Sequence, residues 1–187
     1  MLLEKIYGDE KAIGYLKTIL EHSGKEYTIY NKLGELFASI GDMDNAICNL
    51  QQSLSILPDQ PHTHAILGNL LSKKGDLDKT LLHLSEAVRL NPFCKDNHKN
   101  LYDVYNKRRE YSNAKFVLEK AMQLFPKEPY FYIEIAKILQ VNMDFSHSEE
   151  MLRKAAELDP ENTKIRKKLG DVVAMNIIYQ KEGAFHQ

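Results

Sequence analysis

Cysteine is scarce in this chain of 187 residues, which holds only Cys48 and Cys94. Two thiols cannot staple a small domain, and they form no Cys–Cys pair at zinc spacing. So low a count suits a reducing compartment, and a cytoplasmic setting is expected. Net charge is also nearly absent: 25 basic residues face 26 acidic ones. A chain so balanced has no global field to draw it to nucleic acid or to an anionic membrane. No apolar run is long enough to span a bilayer. The opening MLLEKIYGDEK has acids where a secretory leader needs a basic start and a longer apolar stretch. Neither nucleic acid nor membrane insertion is therefore expected among its interactions. Missing too are a nucleophile beside its base, a phosphate-cradling glycine loop and a carboxylate pair fixed in a pocket. No enzyme activity and no cofactor are expected.

What the chain does have is an interval. Pro58, Pro92, Pro126 and Pro160 stand 34 residues apart, and other columns keep step with them. Ser53, Ala87, Ala121 and Ala155 form a small column, and Ala46, Thr80, Ala114 and Ser148 form another. Leu50, Leu84, Leu118 and Leu152 are large and apolar, as are Leu33, Leu67, Leu101, Ile135 and Leu169. A period of this length with small, large and proline columns marks an array of helical hairpins.

Each period reads as helix A, a short turn and helix B. In residues 27–60, Tyr30, Leu33, Phe37 and Ile40 follow helical spacing, Gly41-Asp42 breaks it, and Pro58 ends the second run. Asp42 is placed to accept backbone N–H groups as an N-cap. The units 61–94, 95–128 and 129–162 repeat the scheme. Their turns are Gly75-Asp76, Arg109-Glu110 and Met143-Asp144, so the third is the least well specified. Residues 1–26 read as a partial repeat, with 9–23 as a lone helix B and Met1–Ile6 as the remnant of its helix A. Residues 163–187 read as a closing helix and tail. Starting and ending within a repeat suggests a fragment or a worn-down terminus. The expected fold is all-α, a right-handed solenoid of antiparallel helix-turn-helix repeats.

These columns resemble the tetratricopeptide repeat family. Tyr30, Leu33-Gly34, Phe37, Ala46, Leu50, Ser53 and Pro58 fill the positions of its pattern, and Leu67-Gly68 and Leu169-Gly170 match again. Tyr102 and Ala136 depart from the glycine column, while His64, His98 and Arg166 stand in the aromatic one. The resemblance implies a protein-interaction scaffold that binds a peptide segment of a partner in a concave groove lined by helices A. Carried over position by position, it assigns that groove to Asn31, Glu35, His62 and Asn69, then to Lys99, Asp103 and Asn106. Tyr130, Ile133, Lys137, Lys164 and Lys167 complete the set.

The chaperone-tail clamp of some family members is disfavoured, because Ala65 replaces its first lysine and Glu134 would repel the carboxylate. His62 and His64 are two residues apart and point to different helix faces, so packing is preferred to metal binding. The basic runs Lys107-Arg108-Arg109 and Lys164–Lys168 read as solvated helix surface. Val172, Val173, Met175, Ile177, Ile178 and Tyr179 are more apolar than a closing helix requires. Self-association through that helix is accordingly weighed. Two alternatives to the peptide scaffold stay open: an arm of a larger multidomain enzyme, and a homo-oligomeric structural scaffold.

Overall fold

The computed structural model describes residues 2–185, and the side chains of residues 8–22 and 24–181. Met1, His186 and Gln187, at the ends of the two flanking segments, lie outside the described residues. Ten helices and no strand occur among the described residues: α1 (Leu2–Ser23), α2 (Tyr27–Ser39), α3 (Met43–Ile56), α4 (Pro61–Lys74) and α5 (Leu77–Leu90), then α6 (Lys95–Lys107), α7 (Tyr111–Leu124), α8 (Pro129–Val141), α9 (Phe145–Leu158) and α10 (Thr163–Phe185). None of them is long and apolar enough to cross a membrane. Two compact units divide at Val104/Tyr105, within α6.

In the first unit α2 packs on α3 and α4 on α5, while α1 lies on α2 and α3 on α4. The apolar residues of α2 recur every three or four positions and bury Ile29, Leu33, Leu36 and Phe37 on one side. The reason helices A and B approach so closely is Gly34. A Cβ there would come 2.6 Å from Cγ and Cδ2 of Leu50, and one on Gly68 would come 2.8 Å from the same atoms of Leu84. The small columns complete the seam, with Ala46, Ser53, Thr80 and Ala87 fully buried. Burying hydroxyls would cost free energy unless they were bonded. Thr80 Oγ1 donates to the Asp76 carbonyl at 2.7 Å, and Ser53 Oγ bonds with the Gln60 amide.

In the second unit α7 lies on α8, α8 pairs with α9, and α10 lies on α9. Ala136 takes the glycine position, and with Leu152 and Val172 it forms the buried centre. Ser148 Oγ, wholly buried, donates to the Ala136 carbonyl at 3.1 Å. Asn176 ties α10 to α9 by accepting from Ser146 Oγ and donating to Glu149.

The flanking helix α1 differs from the expected remnant plus lone helix. It runs unbroken from Leu2 to Ser23, through the position at which the other units turn. Tyr7-Gly8 stands there instead of Gly41-Asp42, and the helix does not break.

The four turns share one backbone. The amide of the residue before each cap bonds back three positions, and the next amide bonds back five: Asp42 N to Phe37 O at 2.9 Å, Glu110 N to Tyr105 O at 2.9 Å, Asp144 N to Leu139 O at 2.9 Å. This Schellman-like ending needs a left-handed residue. Gly41 (φ 86°) and Gly75 (φ 82°) supply it without strain, whereas Arg109 and Met143 are held at φ 60°. Asp42, Asp76 and Asp144 each accept from the backbone N–H three residues on, at 3.1–3.2 Å. Glu110, one methylene longer, makes no such cap. The third turn thus combines a strained left-handed residue with the lack of a side-chain cap, whereas the fourth has the strain but keeps its cap. Replacing Arg109 or the exposed Met143 by glycine should stabilise the chain by about 0.5–1 kcal/mol, the relief of left-handed strain less the added freedom of the unfolded chain. Chemical denaturation of R109G and M143G checks this; a lower midpoint in both would contradict it.

Candidate functional site

Polar side chains in the aromatic column answer a question of hydrogen-bond satisfaction. Each proline that ends a helix B leaves its carbonyl in a loop, and the residue six positions later reaches back to it. His64 Nε2 meets the Pro58 carbonyl at 3.0 Å, His98 Nε2 meets that of Pro92 at 2.9 Å, and Tyr132 Oη donates to that of Pro126 at 3.0 Å. The Arg166 guanidinium does the same for Pro160. A column that reads as aromatic in the family pattern is here a column of long donors.

His64 also faces His83 of α5, with the two Nδ1 atoms 3.0 Å apart. A carbonyl only accepts, so His64 Nε2 carries the proton and its Nδ1 accepts from His83 Nδ1–H in the neutral pair. Burial, and after it the nearness of His64, pushes the His83 pKa below its ordinary 6.5. Nearby Glu86 is held below the usual carboxylate range, chiefly by its hydrogen bond from Arg89, which it meets at 2.5–3.0 Å.

The groove residues divide between the two units. In the first, Asn31 is half-buried and already engaged: its Nδ2 donates to Gln60 Oε1 at 2.6 Å and its Oδ1 accepts from Thr63 Oγ1 at 3.0 Å. Gln60 continues the chain of bonds to Ser53 Oγ and to the Leu57 carbonyl. This network joins α2, α3 and α4, so Asn31 serves packing between hairpins. Glu35 and His62 do come together, Nε2 to Oε1 at 3.6 Å, and Glu35 also accepts from Lys32. Asn69 and Asp103 are exposed and Lys99 is half-buried.

In the second unit Asn106 is exposed at the end of α6. Tyr130 stacks edge-on against the buried Phe131, with centroids 5.5 Å apart. Ile133 and Lys137 line a cleft of about 170 Å³ with Gln140, Leu152, Lys168, Asp171, Val172 and Met175. Its floor is apolar, and Lys137, Lys168 and Asp171 are the charged residues that line it. Lys137 is ion-paired to the nearly buried Glu134 at 2.6 Å. Lys164 and Lys167 are exposed and are not among the residues that line this cleft. Lys168 and Met175 line the cleft but stand outside the positions that the family pattern assigns to the groove. The run Lys164–Lys168 was the available signal.

These hairpins, with leucine against glycine and a proline-closed period, decide the comparison. Residues 27–60, which hold α2 and α3, match the tetratricopeptide repeat family. Residues 27–60 are a tetratricopeptide repeat. Among solved structures, MamA superposes with a TM-score of 0.75 at 22% identity, covering 83% of this chain and 91% of that one. A MamA segment, 41-end, from Desulfovibrio magneticus RS-1 gives 0.68 at 22% identity, over 87% and 92% of the two chains. YrrB, a TPR protein with an unusual peptide-binding site, gives 0.73 at 17% identity, over 89% and 86%. Likeness at this identity is one of fold. No curated protein matches the sequence.

Among the described residues no group of three or more His, Cys, Asp or Glu side chains is arranged to hold a metal ion. The His64–His83 pair has a measurable consequence. Because the folded pKa of His83 is depressed, the unfolded chain binds the extra proton more readily. The stability this pair contributes is complete above pH 6.5 and is lost as pH falls toward the depressed value. Thermal melts should therefore lose stability on acidification from pH 6.5, and His83→Asn, the residue that Asn49 places in the same column, should flatten that slope. An identical slope in the variant would contradict the assignment.

Proposed function

We propose that this chain is a non-catalytic scaffold that binds a peptide segment of a partner protein on the helix A faces of its repeats. The proposed division is four repeats, 27–60, 61–94, 95–128 and 129–162, flanked by 1–26 and by a closing segment, 163–187. The observation that carries the reading is the cleft formed by α8, α9 and α10. Its apolar floor of Ile133, Leu152 and Val172 lies beside the ammonium groups of Lys137 and Lys168. Such a site suits an apolar side chain with a carboxylate next to it, the first seated on the floor and the second paired to the rim. Glu134 is nearly buried and already paired to Lys137, so Lys168 is the ammonium that would take that carboxylate. Tyr130 and the exposed Asn106 extend the surface within the same unit, and Glu35 with His62 offers a separate polar point in the first. The free thiols of Cys48 and Cys94 suit a reducing, cytoplasmic setting.

The test is selection of random-sequence peptides on the intact chain, with binding of the winners measured by fluorescence anisotropy. Enriched peptides should pair an acidic residue with a large apolar one. Ile133→Ala combined with Lys168→Glu should weaken them by about tenfold or more, roughly 1.4 kcal/mol, with little change in melting temperature. Equal binding by the double variant, or no enrichment at all, would count against the cleft.

A further inference from the structure

Gly170 stands in the column of Gly34 and Gly68, yet nothing lies within 4 Å of where its Cβ would be. Leu169 beside it is half-exposed, whereas its counterparts Leu33 and Leu67 are buried. The cause is that α10 ignores the turn. The period places the break between helices A and B at Ile177-Ile178, and α10 runs through those positions to Phe185. Its leucine socket is therefore open among the described residues.

The helix α1 is the converse. It keeps the register of a helix B, with Ala12 and Leu16 in the columns of Ala46 and Leu50. Those two counterparts are fully buried, but Ala12 and Leu16 are only half-buried, because α1 continues straight through Tyr7-Gly8 and brings back no helix A of its own. Ile13 is buried in the core shared with α2, and Ala12 and Leu16 are packed in part against the same core, which leaves the rest of each exposed. Tyr15 occupies the column of His83, the residue that meets His64, and is 69% exposed.

Each open face has what the other needs. We propose that α1 of a second copy of this chain docks antiparallel on α10 as its helix B, with Leu16 seated over Gly170 and Tyr15 over the Arg166 guanidinium. The first contact repeats that of Leu50 with Gly34. The second repeats that of His83 with His64, since Arg166 stands in the column of His64, and its planar cation stacks well on a tyrosine ring. Charge agrees with the pairing. Lys164 and Lys167 stand exposed in the first turns of α10 and make no ion pair among the described residues. Antiparallel docking brings Glu21, in the last turn of α1, to that end. The contact is heterologous, each copy giving α1 and receiving on α10, so it builds rings or open chains. It uses the Leu169–Gly170 side of α10 and is independent of the peptide cleft.

Sedimentation velocity of the full chain over a concentration series tests this. The average mass of the wild type should rise with concentration. Gly170→Glu and Tyr15→Glu alter open positions, so both should keep their helical signal and melting temperature, and each should weaken association by about tenfold or more. An equimolar mixture of the two holds one intact pair of faces and should give a dimer and nothing larger. A wild type that stays monomeric throughout overturns the proposal whatever the variants do. Undiminished association of either variant overturns it as well, Tyr15→Glu in particular pointing to an α10-to-α10 contact.

Discussion

A leucine pressed on a glycine sets the geometry of each completed hairpin at which the contact is seen. Leu50 lies so near Gly34, and Leu84 so near Gly68, that no Cβ fits between them without movement. That contact fixes how closely helix B lies on helix A. The separation in turn decides which columns vanish from solvent: Ala46 and Ser53 in one unit of sequence, Thr80 and Ala87 in the next. At Ala136 the second unit keeps a side chain of one carbon opposite Leu152, and both remain buried. Interiors this dense leave little room for compromise.

Hydrogen bonding is the second constraint, and it acts at the helix ends. Loops between hairpins would strand proline carbonyls and terminal amides. Carboxylates of Asp42, Asp76 and Asp144 take the amides, and His64, His98, Tyr132 and Arg166 take the carbonyls. Among the described residues no buried side-chain nitrogen or oxygen lacks a partner. The chemical variety of the aromatic column follows from that duty, because imidazole, phenol and guanidinium are all donors long enough to reach back six residues.

How much of this was legible in the sequence depended on whether a feature repeats. Proline, leucine and small columns recur every 34 residues, so the fold and the helix limits within repeats could be read from spacing alone. The Asp caps and the weak Arg109-Glu110 turn were readable for the same reason. Features that occur once were not. Gln60 spans Asn31, Ser53 and Thr63 in a way that Cys94 and Glu128, its column-mates, do not advertise. The unbroken course of α1 through Tyr7-Gly8 was hidden because a glycine one residue from the turn column suggests the same break. The candidate cleft was half legible: Ile133 and Lys137 lie on the expected face, but Lys168 and Met175 come from positions on α10 that the family pattern does not assign to the groove.

The account stands on the contact between glycine and leucine, and a double-mutant cycle at Gly68 and Leu84 examines it most directly. Gly68→Ala alone should destabilise the chain by about 1–3 kcal/mol, as overpacking a tight interface does. In the Leu84→Ala background the added methyl finds space, and the same substitution should become neutral or favourable, giving a coupling of about 1 kcal/mol or more. Equal effects of Gly68→Ala in both backgrounds would mean that the two residues do not set the hairpin spacing, and the account would fail at its base.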